Sequence, residues 1–130
     1  MMSLFKKDRV REQNAAPSFS LKAGEHYSIS SPKALKELLM KGCYTVLIYP
    51  DEAMSDLNSW ARALSYSAYA VIPDCSAVAR ELYKAVDRIV FSPVSKRISG
   101  AYLAKSEIDA EKILSSESIV GSVITVDVRQ

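Results

Sequence analysis

Glycine and histidine are scarce in this sequence. The four glycines, at positions 24, 42, 100 and 121, are too scattered to form the GxxxxGK[ST] or GxGxxG pattern of a phosphate-binding loop. The single histidine, His26, has no partner close in sequence that would make it part of a catalytic pair. Nucleotide binding through a glycine-rich loop is therefore disfavoured, and we expect a protein that is not an enzyme.

Cysteine is scarce as well, and no metal-binding pattern is present. Cys43 and Cys75 lie far apart in apolar or small surroundings, so we expect two buried thiols in a reducing compartment. The acidic pairs at 51–52 and 109–111 fall where the first turn of a helix favours carboxylates. We expect neither a metal nor a cofactor.

No hydrophobic run is long enough to cross a membrane. The longest one, Cys43–Tyr49, is far shorter than the roughly 20 residues that a spanning helix needs. Only Leu4 and Phe5 stand where a signal peptide needs an apolar block of roughly 7 to 15 residues, so we expect a cytoplasmic protein. The net charge of +2 is too small to indicate nucleic acid or anionic lipid by itself.

Residues 1–24 differ in composition from the rest of the chain. Apolar residues at the start are followed by a cluster of lysines and arginines, which is typical of a short interfacial helix. We therefore expect a membrane-targeting tail and linker at 1–24 and a globular domain at 25–130; an extension without function is the alternative. The predicted membrane-binding residues are Met1, Met2, Leu4, Phe5, Lys6 and Lys7.

Strand-like and helix-like patterns alternate from Tyr27 onward. Ser31 and Pro32 are typical of a helix start, and Tyr44–Tyr49 is typical of a central strand that is covered on both faces. The pattern predicts an α+β two-layer sandwich, in which helices pack on a mixed sheet, with an α/β fold as the alternative. Further helices are predicted around 51–68, 78–88 and 106–114, and further strands at 27–30, 69–72, 89–92, 96–103 and 123–128.

Two groups of residues are candidate binding surfaces. Five basic residues form the first group, which indicates either a phosphate-binding or acid-binding surface or a solvated helix face. Aromatic residues around the second helix form the other group, which indicates either an interface or part of the core. The basic face consists of Arg80, Lys84, Arg88, Lys96 and Arg97, and the aromatic group of Trp60, Tyr66, Tyr69 and Phe91.

Four stretches of the chain form a recognisable pattern: MMSLFKK, ALKELLMKGCYTVLIY, WARALSYSAYAVIPD and DRIVFSPVSKRISG. Together they resemble the SepF family of cell-division proteins. The resemblance implies a membrane-anchored, dimeric or polymeric tether for FtsZ, with the FtsZ carboxy-terminal tail and an anionic membrane as partners. In the family pattern an Asn lies in the central strand, where this chain has Tyr49, and residues 106–130 have no clear counterpart.

Three functions follow from these observations as hypotheses. The first is a non-enzymatic adaptor that resembles SepF and binds FtsZ filaments to the cytoplasmic membrane as a homodimer. The alternative is a small nucleic-acid-binding module that uses the basic face, and its binding would weaken steeply with salt. The third is an enzyme whose site is assembled from residues scattered in sequence, for which a deep polar pocket would be the sign.

Overall fold

The computed structural model describes residues 19–22, 24–90, 98–116, 119 and 121–129. Strands and helices alternate throughout this part of the chain. The strands are β1 (Glu25–Ile29), β2 (Tyr44–Tyr49), β3 (Tyr69–Pro73), β4 (Gly100–Ala104) and β5 (Ser122–Val128), and the helices are α1 (Pro32–Leu39), α2 (Leu57–Leu64), α3 (Ala77–Val90) and α4 (Glu107–Leu114).

The five strands form one sheet in the order β1-β5-β2-β3-β4. Every pair of neighbouring strands is parallel. The predicted sheet with packed helices is thus confirmed, and its strands are parallel rather than mixed. A helix follows each of the first four strands and returns the chain to the same end of the sheet, which is why the next strand runs in the same direction.

The helices cover both faces of the sheet. The chain moves in one direction across the sheet from β1 through β2 and β3 to β4, and it then reverses to insert β5. Because such crossovers are right-handed, a reversal of direction places the connecting helix on the opposite face. Accordingly, α1, α2 and α3 bury residues in one apolar cluster, and α4 contributes Ala110 to a second cluster around Leu47 and Val71.

Strand β2 is the central strand, as its composition predicts. Val46, Leu47 and Ile48 have no exposed surface, because β2 lies between β5 and β3 and is covered on both faces. Side chains alternate between the faces of a strand, so Val46 and Ile48 belong to the first cluster and Leu47 to the second.

The predicted start of α1 is confirmed. Pro32 occupies the first turn, and the Ser31 hydroxyl accepts a hydrogen bond from the Ala34 amide at 3.2 Å. Leu35, Leu38 and Leu39 are buried, because their spacing places them on one side of the helix. The side of α1 that carries its lysines consequently faces away from the sheet.

The strand predicted at 89–92 is wrong where the structure describes it. Ile89 and Val90 are the last residues of α3. Leu82, Val86 and Ile89 continue the helical spacing on the apolar side, which explains why the helix does not end earlier. The strand predicted around Gly100 is β4.

Residues 19–22 pack against the second face of the sheet, although the composition placed them in the tail. Phe19 and Leu21 contact the second apolar cluster. The amide and hydroxyl of Ser20 both donate to the Glu107 carboxylate, at 3.0 and 2.9 Å. This segment and α4 together cover the second face.

Candidate functional site

A groove runs between α1 and α2 on the outer surface of the helical layer. The two helices pack side by side, because both bury an apolar side in the first cluster. Their polar sides leave a groove of about 450 Å³ between them. It is lined by Pro32, Lys33, Lys36, Ser59, Arg62, Ala63 and Tyr66.

The charge of this groove is uniformly positive. Lys33, Lys36 and Arg62 are exposed, and no acidic residue is among those that line the groove. The Lys36 ammonium lies 5.2 Å from the centre of the Tyr66 ring, which is within the range of a cation–π contact. Neither Lys33 nor Arg62 forms an ion pair with any described residue. These cations are available to an anionic partner.

A second cavity extends the positive surface towards α3. It measures about 210 Å³ and is lined by Asn58, Arg62, Ala85, Arg88 and Ile89, so Arg62 borders both cavities. The Arg88 guanidinium donates to the Asn58 side-chain oxygen at 3.0 Å, which holds it above α2. We call the continuous surface formed by Lys33, Lys36, Arg62, Tyr66 and Arg88 the basic groove.

The described residues of the predicted basic face do not form one common positive surface. Arg80 is paired with Asp74 at 3.0 Å, and Lys84 with Glu81 at 3.2 Å. Arg88 is the one described member of that set that lines the basic groove. Lys96 and Arg97 lie outside the described residues. Neighbouring carboxylates therefore reduce the positive charge along α3.

The predicted aromatic group is not a single surface. Trp60 is only 1% exposed and belongs to the core, so it has no surface to offer a partner. Tyr66 lines the basic groove, whereas Tyr69 lies on the opposite face of the sheet, where it stacks on Tyr102 at 6.1 Å. Phe91 lies outside the described residues.

No pattern in the sequence identifies Lys33, Lys36 and Arg62 as residues of a common binding site. Their helices are amphipathic, so each residue looks like an ordinary solvated cation when its own helix is considered alone. The spacing of Lys33 and Lys36 on one side of α1 is the only local signal. Arg62 joins them because α2 packs beside α1, which the sequence does not show.

The predicted membrane-binding residues, Met1, Met2, Leu4, Phe5, Lys6 and Lys7, all lie outside the described part of the chain. Among the residues that the structure describes, no helix is both long enough and apolar enough to cross a membrane.

The expectation of two buried thiols is wrong for Cys43. This cysteine is exposed, because it lies in the turn that precedes β2 rather than within the strand. Cys75 is half-buried at the start of the β3–α3 connection, and burial raises the pKa of its thiol, so the thiol stays protonated at neutral pH. Within the described ranges, no group of three or more His, Cys, Asp or Glu residues could hold a metal ion.

Comparison of the chain with protein-family models, curated proteins and solved structures found no match.

Proposed function

We propose that the protein is a non-enzymatic adaptor whose domain binds an acidic peptide segment of a partner protein in the basic groove. The observation that carries this proposal is the juxtaposition of Lys33, Lys36 and Arg62 around a groove that no acidic residue lines. Opposite charges across an interface increase the association rate and select the partner.

The shape and lining of the basic groove favour a peptide. Pro32, Ala63 and the ring of Tyr66 provide an apolar floor, and the cations stand around it. An apolar centre with a polar rim is the usual anatomy of a protein-binding surface. Tyr66 and Arg62 are also of the residue types that contribute most binding energy at such surfaces.

The resemblance to SepF makes the carboxy-terminal tail of FtsZ the first partner to test. In this proposal the protein is a homodimer or higher polymer, located in the cytoplasm at the inner face of the cell membrane. The tail that begins MMSLFKK would bind anionic lipid. One tail binds weakly, so an assembly that carries several tails would bind the membrane more tightly than a single copy does.

The experiment is a titration of a fluorescent peptide, with the sequence of the FtsZ tail, against the full chain. Arg62→Glu places a negative charge in the basic groove, so we expect the dissociation constant to rise by about tenfold or more. Fluorescence anisotropy at low salt measures it. The affinity should also fall as salt shortens the Debye length from about 30 Å at 0.01 M to about 10 Å at 0.1 M.

Lys84→Glu is the matched control, because it changes the net charge by the same amount but lies outside the basic groove and pairs with Glu81. Its affinity for the peptide should stay within about twofold of the original. Equal losses in the two variants would show that only overall charge matters, and absence of peptide binding to the original chain would refute the proposal.

A single-stranded nucleic acid is the second candidate ligand. A positive groove that contains an aromatic ring can hold phosphates and stack a base, and Tyr66 beside Lys36 has this arrangement. A gel shift with generic DNA and RNA at low and at physiological salt tests it. A shift that Arg62→Glu abolishes would favour this candidate, and no shift at either salt concentration would eliminate it.

A further inference from the structure

Two large apolar side chains are exposed among the described residues, and they lie on opposite sides of the molecule. Met40 caps the end of α1 and is 58% exposed, whereas Ile108 lies in the first turn of α4 and is 67% exposed. Helix α1 packs on the first face of the sheet and α4 on the second. Single exposed apolar residues are common on protein surfaces, so the charges around these two decide whether they are informative.

Met40 extends the side of α1 that borders the basic groove. Lys33, Lys36 and Met40 follow one another at spacings of three and four residues, and Met40 still has right-handed helical backbone angles. The three side chains therefore lie on one side of the helix. An occupant that fits this site needs an apolar group next to carboxylates, since the apolar floor of the groove is surrounded by cations.

Helix α4 presents that combination on its outer surface. Glu107 and Glu111 are four residues apart and Ile108 lies three residues before Glu111, so the three side chains are neighbours on the helix. Ala110 is buried against the sheet, and Ile108 and Glu111 are exposed on the other side. Helix α4 contains three acidic residues and one lysine, so its net charge is −2.

The hydrogen bonds of α4 leave its negative charge in place. The Glu107 carboxylate accepts from the amide and hydroxyl of Ser20, and the Asp109 carboxylate accepts from the Lys105 amide. All three donors are neutral groups. The lysine of the helix, Lys112, lies towards Tyr102, where both residues line a separate cavity of about 240 Å³. The part of α4 around Ile108 is thus acidic, whereas the basic groove is positive.

The two surfaces also match in shape. Helix α4 is the one described helix on the second face, so it forms a ridge there, whereas α1 and α2 leave a groove between them. Both α1 and α4 have eight residues, which corresponds to about 12 Å at 1.5 Å per residue. Helices pack by placing the ridge of one in the groove formed by others.

We propose that α4 of one copy of this chain docks in the basic groove of a second copy. Ile108 contacts the apolar floor beside Met40, and Glu107 and Glu111 face the cations of the groove. This inference rests on the proposed function in one respect, because both use the basic groove as the docking surface. The ridge and the groove lie on opposite faces of the molecule, so each copy keeps one of them free. The contact therefore repeats into an open polymer rather than closing as a two-fold dimer.

The experiment is sedimentation velocity of the full chain without vesicles, at low salt and over a range of protein concentrations. The contact surface is small, so we expect a dissociation constant on the order of 100 µM. Arg62→Glu and Glu111→Lys each place like charges across the contact, so each variant alone should associate about tenfold more weakly. Lys84→Glu is the control and should associate as the original chain does, because Lys84 lies outside both surfaces.

A mixture of the two charge-reversed variants is the decisive measurement. Arg62→Glu provides an acidic groove with an unchanged α4, and Glu111→Lys provides a more basic α4 with an unchanged groove. Each groove then meets a helix of opposite charge on the other variant, so the mixture should associate within about threefold of the original chain. All variants keep residues 1–18, so association through the tail would not follow this pattern.

Ile108→Ser tests the apolar part of the contact. The side chain is exposed, so we expect an unchanged unfolding midpoint and about fivefold weaker association. A chain that stays monomeric at every concentration, a mixture that does not recover association, or an Ile108→Ser variant that associates as the original does would each overturn the inference.

The outcome is separable from that of the proposed function. Glu111→Lys leaves the basic groove unchanged, so it should bind the FtsZ-tail peptide as tightly as the original chain does. Peptide binding without self-association would overturn only the contact between copies. Self-association that recovers in the mixture, without any peptide binding, would support that contact and refute only the proposed peptide site.

Discussion

Trp60 and Tyr66 show how far the sequence defines the role of single residues. Trp60 lies on the apolar side of α2 and is buried, in agreement with the alternative interpretation of it as a core residue. Tyr66 follows α2 and is only half-buried, and its ring faces the Lys36 ammonium of α1. Helical spacing identifies the first role, whereas the second depends on a neighbouring helix.

His26 is a second residue whose contacts depend on a part of the chain that is distant in sequence. The sequence offers it no nearby partner, yet its Nδ1 atom lies 3.5 Å from the Asp127 carboxylate. The two residues come from opposite ends of the globular domain and meet because β1 pairs in parallel with β5. No local pattern contains this information.

Gly121 is a residue whose backbone requires glycine. Its φ angle is +92°, and a Cβ atom there would lie 2.5 Å from the Cys43 carbonyl oxygen. That oxygen accepts the Ser122 amide at 3.1 Å, where β5 begins to pair with β2. We therefore expect Gly121→Ala to lower the free energy of unfolding by about 2 kcal/mol. Urea denaturation measures it.

The matched control for this variant is Gly100→Ala in β4. A Cβ atom on Gly100 would meet its nearest neighbour, a ring atom of Tyr69, at an ordinary 3.4 Å. We expect a change within about 0.5 kcal/mol there. Similar losses in the two variants would contradict the argument from backbone conformation.

At the scale of elements, the starts of α1 and α4 agree with the sequence pattern, whereas the start of α2 does not. The pattern places that start at Asp51, but α2 begins at Leu57, because Asp51 caps a turn in which its carboxylate accepts from the Ala53 amide at 2.7 Å. Ser31 and Ser106 both accept hydrogen bonds from amides in the first turn, as their positions in the sequence predict.

The predicted end of α3 before Ile89 is wrong, because Ile89 and Val90 fit both a short strand and the last turn of an amphipathic helix. Periodicity alone does not separate these possibilities over a few residues.

Helix α4 provides the test at this scale, because it is the one described helix on the second face of the sheet. The Ser106 hydroxyl accepts from the Asp109 amide at 3.1 Å, and the Asp109 carboxylate accepts from the Lys105 amide at 2.9 Å. We expect Ser106→Ala to lower the free energy of unfolding by about 1 kcal/mol, because it removes the cap. Faster hydrogen exchange in the first turn of α4 should accompany this loss.

Ser106→Asp should keep most of the stability, because an aspartate caps a helix and its charge favours the amino-terminal end. A loss as large as that of Ser106→Ala would argue that the serine acts through packing rather than through its hydrogen bond.

The whole molecule presents different chemistry on its two sides. The helical layer of α1, α2 and α3 carries the basic groove, and the opposite face carries α4 and residues 19–22. Segment 19–22 lies within the predicted tail and linker, and residues 8–18 separate it from the last predicted membrane-binding residue, Lys7. In the proposed adaptor, residues 8–18 connect the membrane-bound residues to the domain.

Membrane binding is a property that we expect of the full chain and not of the domain alone. We expect the full chain to co-sediment with anionic vesicles, and a chain that begins at Ser18 to remain in the supernatant. Replacing Leu4 and Phe5 by glutamate should have the same effect as the truncation, because the apolar contact and the local positive charge are both reduced. Sedimentation of both chains, or of neither, would refute the role of the tail.

The sequence by itself determined the alternation of strands and helices, the central position of β2, and the starts of α1 and α4. These features depend on residues within a turn or two of each other, such as a capping serine or an apolar spacing. Only the tertiary structure decided that the sheet is parallel throughout, that Arg62 joins Lys33 and Lys36, and that His26 lies beside Asp127. Those contacts join residues far apart in the chain, and they exist only once burial of the apolar faces has fixed the order of the strands and the side on which each helix packs.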